Sequence, residues 1–478
     1  MNTFKKTFAV FFILFFTAAT VRADQDDRNE LAEQTEAYAA EFLEMMTLLL
    51  DDYAGRELTP SILYEAALRG MANELDAFSE YMSAGEFKNF TDSLSGRFEG
   101  IGVQIDTDGT GYTRVVNVIP GSPAEEAGVL NGDFIIKING DDVGGFSQYQ
   151  IVEMIKAITG DVELAVKRNG DEHTFTMTKR TVTIEPVEVL MFEDIFSFAG
   201  EKSESIRYVY LASFDMESSS AFRNALRRLT AQHVKGIVLD MRGNSGGYLD
   251  QVVAIARMIL PEGPIYYEMD SSGGKVAHYS RLKNPPFEHV VVLTDRFTAS
   301  AAELLAAALQ DSKIATVVGE TTYGKGVIQT SVDLSTGGAF KYTYAEYLRR
   351  SGEKIDRIGV VPDVYAGFPD ALYGEIVLDG DGASDQIVTL KNILAFLGYD
   401  IDDFSSVYDE KTRGQVKVFK NISGLEGTDE LDGAFAYALN DLLYTVYNET
   451  DVVLETGYNI LLEAFDSATN DAPVVSLK

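Results

Sequence analysis

From Asp27 to about Asn89 apolar positions recur at three- and four-residue intervals, among them Phe42, Met45, Met46 and Leu49 and, later, Leu63, Ala66, Leu68 and Met71. That spacing keeps one face of a helix apolar and predicts two or three helices in an N-terminal region, 24–96. Between them RELTPS offers a helix start, with Thr59 as cap and Pro60 at the first helical position.

After Arg97 the pattern shortens to β-branched strands separated by turns, in GIGVQI, TRVVNVI, FIIKI, VELAVKR and TFTMTKR, and predicts a separate β-rich unit over 97–183. From Arg207 strands alternate with helices. YVYLASF, GIVLDM, HVVVLT and ATVVGE are strands, and SSAFRNALRRLTAQ is a helix with a serine cap. Such alternation implies a sheet layered by helices, here over 184–368. A further helical module is expected over 384–445, followed by a C-terminal tail, 446–478. The fold class is α/β multidomain: N-terminal helices, a β-rich domain, an α/β sheet-and-helix core and a helical C-terminal module.

A chain of 478 residues, 46% of them hydrophobic, can bury more than one core. Residues 1–23, MNTFKKTFAVFFILFFTAATVRA, open with Lys5 and Lys6, continue apolar and end in small residues around Arg22, which reads as an export signal. The alternative is an uncleaved anchor at the membrane. The apolar stretch is shorter than the roughly 20 residues that a spanning helix needs. Export predicts a periplasmic or extracellular protein. The net charge is −34, and removing three basic and no acidic residues with the leader would make it −37, which excludes nucleic acid as a natural partner. With no cysteine there is no disulfide and no thiolate nucleophile, and the four histidines (His173, His233, His278, His289) are scattered, so no metal site and no cofactor are indicated.

In α/β sheets functional groups gather at strand-to-helix turns, and two turns stand out, LDMRGNSGGYLD and LTDRFTASAAE. Ser300, in the second, follows an apolar strand at or near a helix start, where it could simply cap the helix, as could Thr298. Lys325 lies between two glycines in the apolar context of ETTYGKGVIQTSV. Burial disfavours an ammonium and lowers its pKa from about 10.4 toward neutrality, which makes such a lysine a general base for a serine hydroxyl. Gln329, four residues on, shares a strand face with it and can hold the amine in place. The glycine turn RGNSGG presents backbone N–H groups suited to an oxyanion. A rival nucleophile is Ser245, since GNSGG fits a nucleophile elbow, but that triad needs a later histidine near the domain end, and His278 and His289 come too early.

TASAAE with GKGVIQ resembles the serine and lysine motifs of the carboxyl-terminal processing peptidases, or tail-specific proteases, and ELDAFSEYM, LDMRGNSGG and IGVVPDV follow in family order over residues 36–365. The resemblance implies a serine endopeptidase with Ser300 as nucleophile, Lys325 as base and Gln329 orienting the lysine. It further implies oxyanion N–H groups from Gly246 or Gly247 and from Ala301. Ala77 and Ser245 stand where the family commonly has proline.

EGIGVQI and VIPGSPAEEAGVLNGDFIIKINGDDV resemble PDZ domains, which implies capture of a peptide's C-terminal carboxylate at Gly100, Ile101, Gly102 and Val103 and addition of the peptide as a strand. Arg168 resembles a position thought to sense bound peptide, although beside Asn169-Gly170 it also fits a solvated hairpin. The run DEKTRGQVKVFKNISGL resembles peptidoglycan-binding-like modules, which adds peptidoglycan as a partner; the alternative is a helical region that packs on the N-terminal helices of a second subunit in a homodimer. The competing function is a non-catalytic adapter that binds peptides and cell wall.

Overall fold

In the computed structural model the described residues are 25–469, apart from 108–111, 169, 184, 196–203, 373–375, 377 and 379–381; the expected leader at 1–23 lies outside them. Two compact units divide the chain, one of residues up to Ser83 with Asp333–Tyr342, the other of Ala84–Val332 with Thr343 onward.

In the first unit α1 (Gln25–Asp52) and α2 (Pro60–Asn73) precede the short strand β1 (Glu80–Met82). Thr59 caps α2 as expected, its hydroxyl oxygen accepting the Ile62 N–H at 3.3 Å with Pro60 just behind it. β1 pairs antiparallel with residues 339–341, Met82 opposite Ala339. The Arg69 guanidinium donates to the Tyr81 carbonyl at 3.2 Å and lies over the Tyr81 ring.

In the second unit α3 (Ala84–Leu94) leads into the β-rich span. β2 (Arg97–Gly100) pairs with β9 (Arg180–Thr183), and between them β3 (Val103–Thr107), β4 (Thr113–Val118), β5 (Phe134–Ile138), β6 (Asp141–Asp142), β7 (Asp161–Arg168) and β8 (Asp171–Thr178) form one sheet. Its order, β3-β4-β5-β7-β8, leaves β3 at an edge. Helices α4 (Pro123–Ala127) and α5 (Gln148–Ala157) complete this body, with Ile101, Val115, Ile135, Ile151 and Leu164 in its core. A capping box of Ser147 and Gln150 starts α5.

The next elements are β10 (Val187–Leu190), α6 (Phe192–Ile195), β11 (Ile206–Leu211), α7 (Ser218–Ala231), β12 (Gly236–Asp240), α8 (Leu249–Ile259), β13 (Gly263–Asp270), β14 (Lys275–Ser280) and β15 (His289–Thr294). They continue through α9 (Ala301–Asp311), β16 (Ala315–Gly319), β17 (Val327–Asp333), β18 (Ala339–Leu348) and β19 (Val364–Tyr365). The central sheet runs β10-β11-β12-β15-β16-β19, parallel from β11 onward. Its strands are apolar on both faces. Ile237, Leu239, Val290, Val292 and Val317 pack against α7, α8 and α9, while Val238, Val291, Leu293 and Val318 face the other way. Such double burial is what a parallel sheet requires.

The expected serine cap on α7 is corrected. The helix begins at Ser218 with Glu217 as cap residue, and the Ser218 hydroxyl is engaged by the Asp215 carboxylate at 2.8 Å instead.

Three helices follow, α10 (Asp385–Phe396), α11 (Glu410–Ile422) and α12 (Gly433–Glu449), packed around Leu390, Leu394, Val416, Phe419, Phe435 and Leu439. The segment expected to be a tail contains a long helix, α13 (Val452–Thr469), whose Val453, Leu454, Tyr458 and Leu461 cover the second face of the central sheet. No helix among the described residues is long and apolar enough to cross a membrane.

Candidate active site

Three neighbouring strands of the central sheet, β12, β15 and β16, end at the same edge, in register from Gly236 opposite His289 and Val290 opposite Ala315. The chain that leaves them carries, in turn, the glycine turn 241–247, Ser300 and Lys325. The sheet order thus brings together residues far apart in sequence.

Ser300 is the cap residue of α9, and its backbone is in an unusual region, φ 55° and ψ −118°. A non-glycine residue at positive φ is strained by about 1–3 kcal/mol and persists only when its surroundings hold it. Glu303 does much of the holding. Its buried carboxylate accepts from four donors: the Ser300 N–H at 2.7 Å, the Lys325 N–H at 2.8 Å, the Gly324 N–H at 2.6 Å and the Thr322 hydroxyl at 2.5 Å. Burial pushes the Glu303 carboxyl above its ordinary value, and these hydrogen bonds oppose that rise. Glu303 was not singled out from the sequence, although its position three residues after Ser300 is the capping-box spacing that could have found it. Thr298, the other candidate cap, is buried instead in the loop, its hydroxyl oxygen accepting the Asp295 N–H at 3.0 Å.

Lys325 lies in the loop just before β17 rather than in a strand, and its ammonium nitrogen donates to the Gln329 side-chain oxygen at 2.8 Å. Tyr347 closes this arrangement. Its buried hydroxyl contacts the main-chain carbonyl oxygens of Ser300, at 2.9 Å, and of Lys325. Burial, with Glu303 and Asp356 adding to it, pushes the phenol well above its ordinary value, so it remains a donor.

The glycine turn lies directly against Ser300. A Cβ on Gly246 would stand 2.9 Å from the Ser300 Cβ and 3.0 Å from the Ala301 nitrogen, and φ there is 102°, so only glycine fits. The Gly246 N–H is already donated to the Asn244 side-chain oxygen at 2.9 Å. Gly247 is exposed, and among the described residues its N–H finds no acceptor; the Ala301 N–H, at the first position of α9, is likewise open. Of the two glycines, the geometry therefore leaves Gly247 as the available donor. Asp295 ties the two turns together, accepting the Gly243 N–H at 3.0 Å and the Thr298 N–H at 2.8 Å. Burial pushes its carboxyl up against those bonds.

Ser245 is exposed on the turn. His289 opens β15, at the opposite end of the strand from the turns, and His278 stacks on Tyr266 in the β13–β14 hairpin at 4.3 Å.

The remaining sequence candidates lie in the β-rich body. Gly100, Ile101, Gly102 and Val103 run from β2 into the edge strand β3, with Gly102 at φ 87° because a Cβ would fall 2.1 Å from that of Ser122. Arg168 is held within the same body, donating to Asp133 at 2.6 and 2.7 Å and to the Gly128 carbonyl at 2.9 Å. Gln104 of β3 reaches the core: its side-chain oxygen is 3.3 Å from where a Cβ on Gly243 would stand. Among the described residues no group of His, Asp or Glu could hold a metal ion.

The chain is similar to known proteins in both its β-rich body and its core. Residues 205–366 match peptidase family S41, and residues 90–167 match the PDZ domain. The chain is 31% identical over 409 residues to the carboxy-terminal processing protease CtpA of Bacillus subtilis, covering 84% of this chain and 85% of that protein. It is 29% identical over 443 residues to a probable CtpA-like serine protease of Staphylococcus aureus, covering 91% and 87%. Among solved structures it resembles a photosystem II D1 C-terminal processing protease, with TM-score 0.50, 31% identity, and 69% and 87% coverage. With a PDZ domain ahead of its protease core, the chain belongs to the carboxy-terminal processing serine proteases of peptidase family S41.

Proposed function

We propose that the protein is an exported endopeptidase that seizes the free C-terminal tails of other proteins on its PDZ domain and cleaves them with a Ser300/Lys325 dyad. The observation that carries this reading is the hydrogen bond from Lys325 to Gln329, 2.8 Å long, beside a strained Ser300 joined to Lys325 through Glu303. In the neutral amine form Lys325 takes the Ser300 hydroxyl proton as Oγ attacks the scissile carbonyl carbon. The oxyanion that forms is met by the N–H groups of Gly247 and Ala301 at the start of α9. Collapse of the tetrahedral intermediate expels the amine, which takes the proton back from Lys325. Water, deprotonated by the same lysine, then attacks the ester carbonyl, and the lysine returns that proton to the Ser300 oxygen as it leaves and the acid is released. Gln329 keeps the amine aimed throughout.

The edge strand β3 has a strand on one side only, with its Ile105 carbonyl taken by the Gln148 side chain, and the 100–103 loop at its start suits a terminal carboxylate. The leader at 1–23 supports export, and the 384–445 helices belong to the same reading as a peptidoglycan contact, testable by co-sedimentation with purified cell wall. The central test compares a reporter with a free apolar C-terminus and the same reporter amidated. Ser300→Ala and Lys325→Ala should each abolish turnover of the free form in folded protein, Ser245→Ala should retain most of it, and amidation should slow it markedly. Full activity in Ser300→Ala refutes the dyad, and equal rates for the two reporters refute tail capture.

A further inference from the structure

The turn that carries Gly247 has little stiffness of its own, because Gly243, Gly246 and Gly247 all sit at positive φ. Its position is set from outside at several points: Asp295 accepts the Gly243 N–H, Asn244 donates to the Leu211 carbonyl, and Phe214 bonds to Gly246 and Tyr248 on either side of Gly247. At its base Arg242 forks onto two carboxylates: Nε and Nη2 donate to Asp240 at 3.0 and 2.6 Å, and Nη1 and Nη2 donate to Asp451 at 2.8 and 2.7 Å. A planar guanidinium bonded in this bidentate way is fixed in orientation as well as in place. The two partners differ in kind. Asp240 ends β12 two residues earlier and so belongs to the same stretch of chain, whereas Asp451 is 209 residues away.

Asp451 is itself firmly held. It caps α13, its carboxylate accepting the Leu454 N–H at 2.9 Å and its carbonyl the Glu455 N–H at 2.8 Å. α13 lies close on the sheet, since a Cβ on Gly457 would be 2.8 Å from Leu293 Cδ2 and 3.1 Å from Val291 Cγ1. The peptidase match ends at residue 366, well before this helix.

We infer that Asp451 is a positioning residue for the oxyanion turn, acting through Arg242, so that the C-terminal helix is part of the catalytic apparatus rather than an appendage. This rests on the Ser300 protease reading above. Without Asp451 the turn keeps its bonds to Asp295, Phe214 and Leu211 but loses the grip on its base, and the Gly247 N–H is held less accurately where the oxyanion forms.

The test uses the full-length protein with a free-tailed peptide reporter. Asp451→Asn keeps an oxygen to cap α13 but removes the charge that grips Arg242. It should lower kcat roughly 10- to 100-fold, leave KM within about twofold and lower the melting midpoint by no more than a few degrees. Asp451→Glu should restore most of kcat. Because the effect passes through Arg242, the Arg242→Gln/Asp451→Asn pair should lose no more than Arg242→Gln alone. Wild-type kcat in Asp451→Asn overturns the inference, as does a loss that adds fully to that of Arg242→Gln. Ser300→Ala runs alongside: an active Ser300→Ala sinks the Ser300 dyad reading and the inference with it, whereas an inactive one with normal Asp451→Asn sinks the inference alone.

Discussion

Glu303 and Tyr347 hold the same two residues from either side, one at their amide nitrogens and the other at their carbonyl oxygens. The Glu303 carboxylate accepts the amide hydrogens of Ser300 and Lys325, and the Tyr347 hydroxyl lies against the carbonyl oxygens of both. Both act on main-chain groups, and together they fix Ser300 and Lys325 relative to each other and maintain the positive φ of Ser300.

Replacing Glu303 by Gln turns one acceptor oxygen into an NH2 group that faces N–H donors. Such a replacement should lower kcat on the order of 100-fold, because small misplacements of catalytic groups are costly, with KM nearly unchanged. Steady-state kinetics on a free-tailed reporter check this; an unaltered kcat would refute the clamp.

The same carboxylate makes a pH prediction. Burial, against its hydrogen bonds, raises the folded pKa of Glu303 above the unfolded value of about 4.3. The folded state then binds the proton more tightly than the unfolded state. Its ionisation therefore costs stability as pH rises from the unfolded pKa through the folded one, and the stability it contributes is greatest on the acid side. Denaturant midpoints measured across that window should fall less steeply in Glu303→Gln than in the wild type, and parallel curves would count against the assignment.

Tyr347→Phe removes one hydroxyl and leaves both carbonyl oxygens short of a donor. A loss of about 1 kcal/mol in stability is expected, together with a larger relative fall in kcat than in melting midpoint. A variant that loses stability but keeps full kcat would reduce Tyr347 to a structural role.

At the glycine turn, Gly246→Ala introduces a Cβ 2.9 Å from the Ala299 oxygen and from the Ser300 Cβ, at φ 102°. Backbone must move, and activity should disappear, whereas Ser245→Ala, one residue earlier and exposed, should remain close to wild type. Comparable activity in the two variants would show that the turn does not need its close approach to Ser300.

In the C-terminal helices the fully buried Lys391 ammonium pairs with Asp403 and Asp409, each at 2.7 Å. Burial works against the Asp409 charge, but hydrogen bonds from Lys391 and Thr412 outweigh it and hold that carboxyl at about 2. Because the folded value lies below the unfolded one of about 3.9, the stability it contributes is complete above that value and is lost as pH falls toward about 2. Circular dichroism melts taken over this window should show a steeper acid loss in the wild type than in Asp409→Asn; equal slopes would contradict the pairing.

The sequence by itself determined what short-range chemistry can specify. The Thr59-Pro60 helix start and the strand and helix periodicities depend on a few consecutive residues and are found in place, and Lys325 and Gln329, four apart, are hydrogen-bonded although Lys325 lies before the strand. Short-range patterns also led to a serine cap at α7 and a tail after residue 445, and there the structure differs, because Asp215, three residues before it, took the hydroxyl of Ser218 and an apolar sheet face took the segment. Only the tertiary structure decided that β12, β15 and β16 lie side by side, that Glu303 also reaches Thr322, Gly324 and Lys325, and that Tyr347 and Asp451 reach the site. The reason is physical. Strand order and helix docking are settled by burying apolar faces across the whole chain, and a pair such as Arg242 and Asp451, 209 residues apart, has no local spacing by which to be recognised.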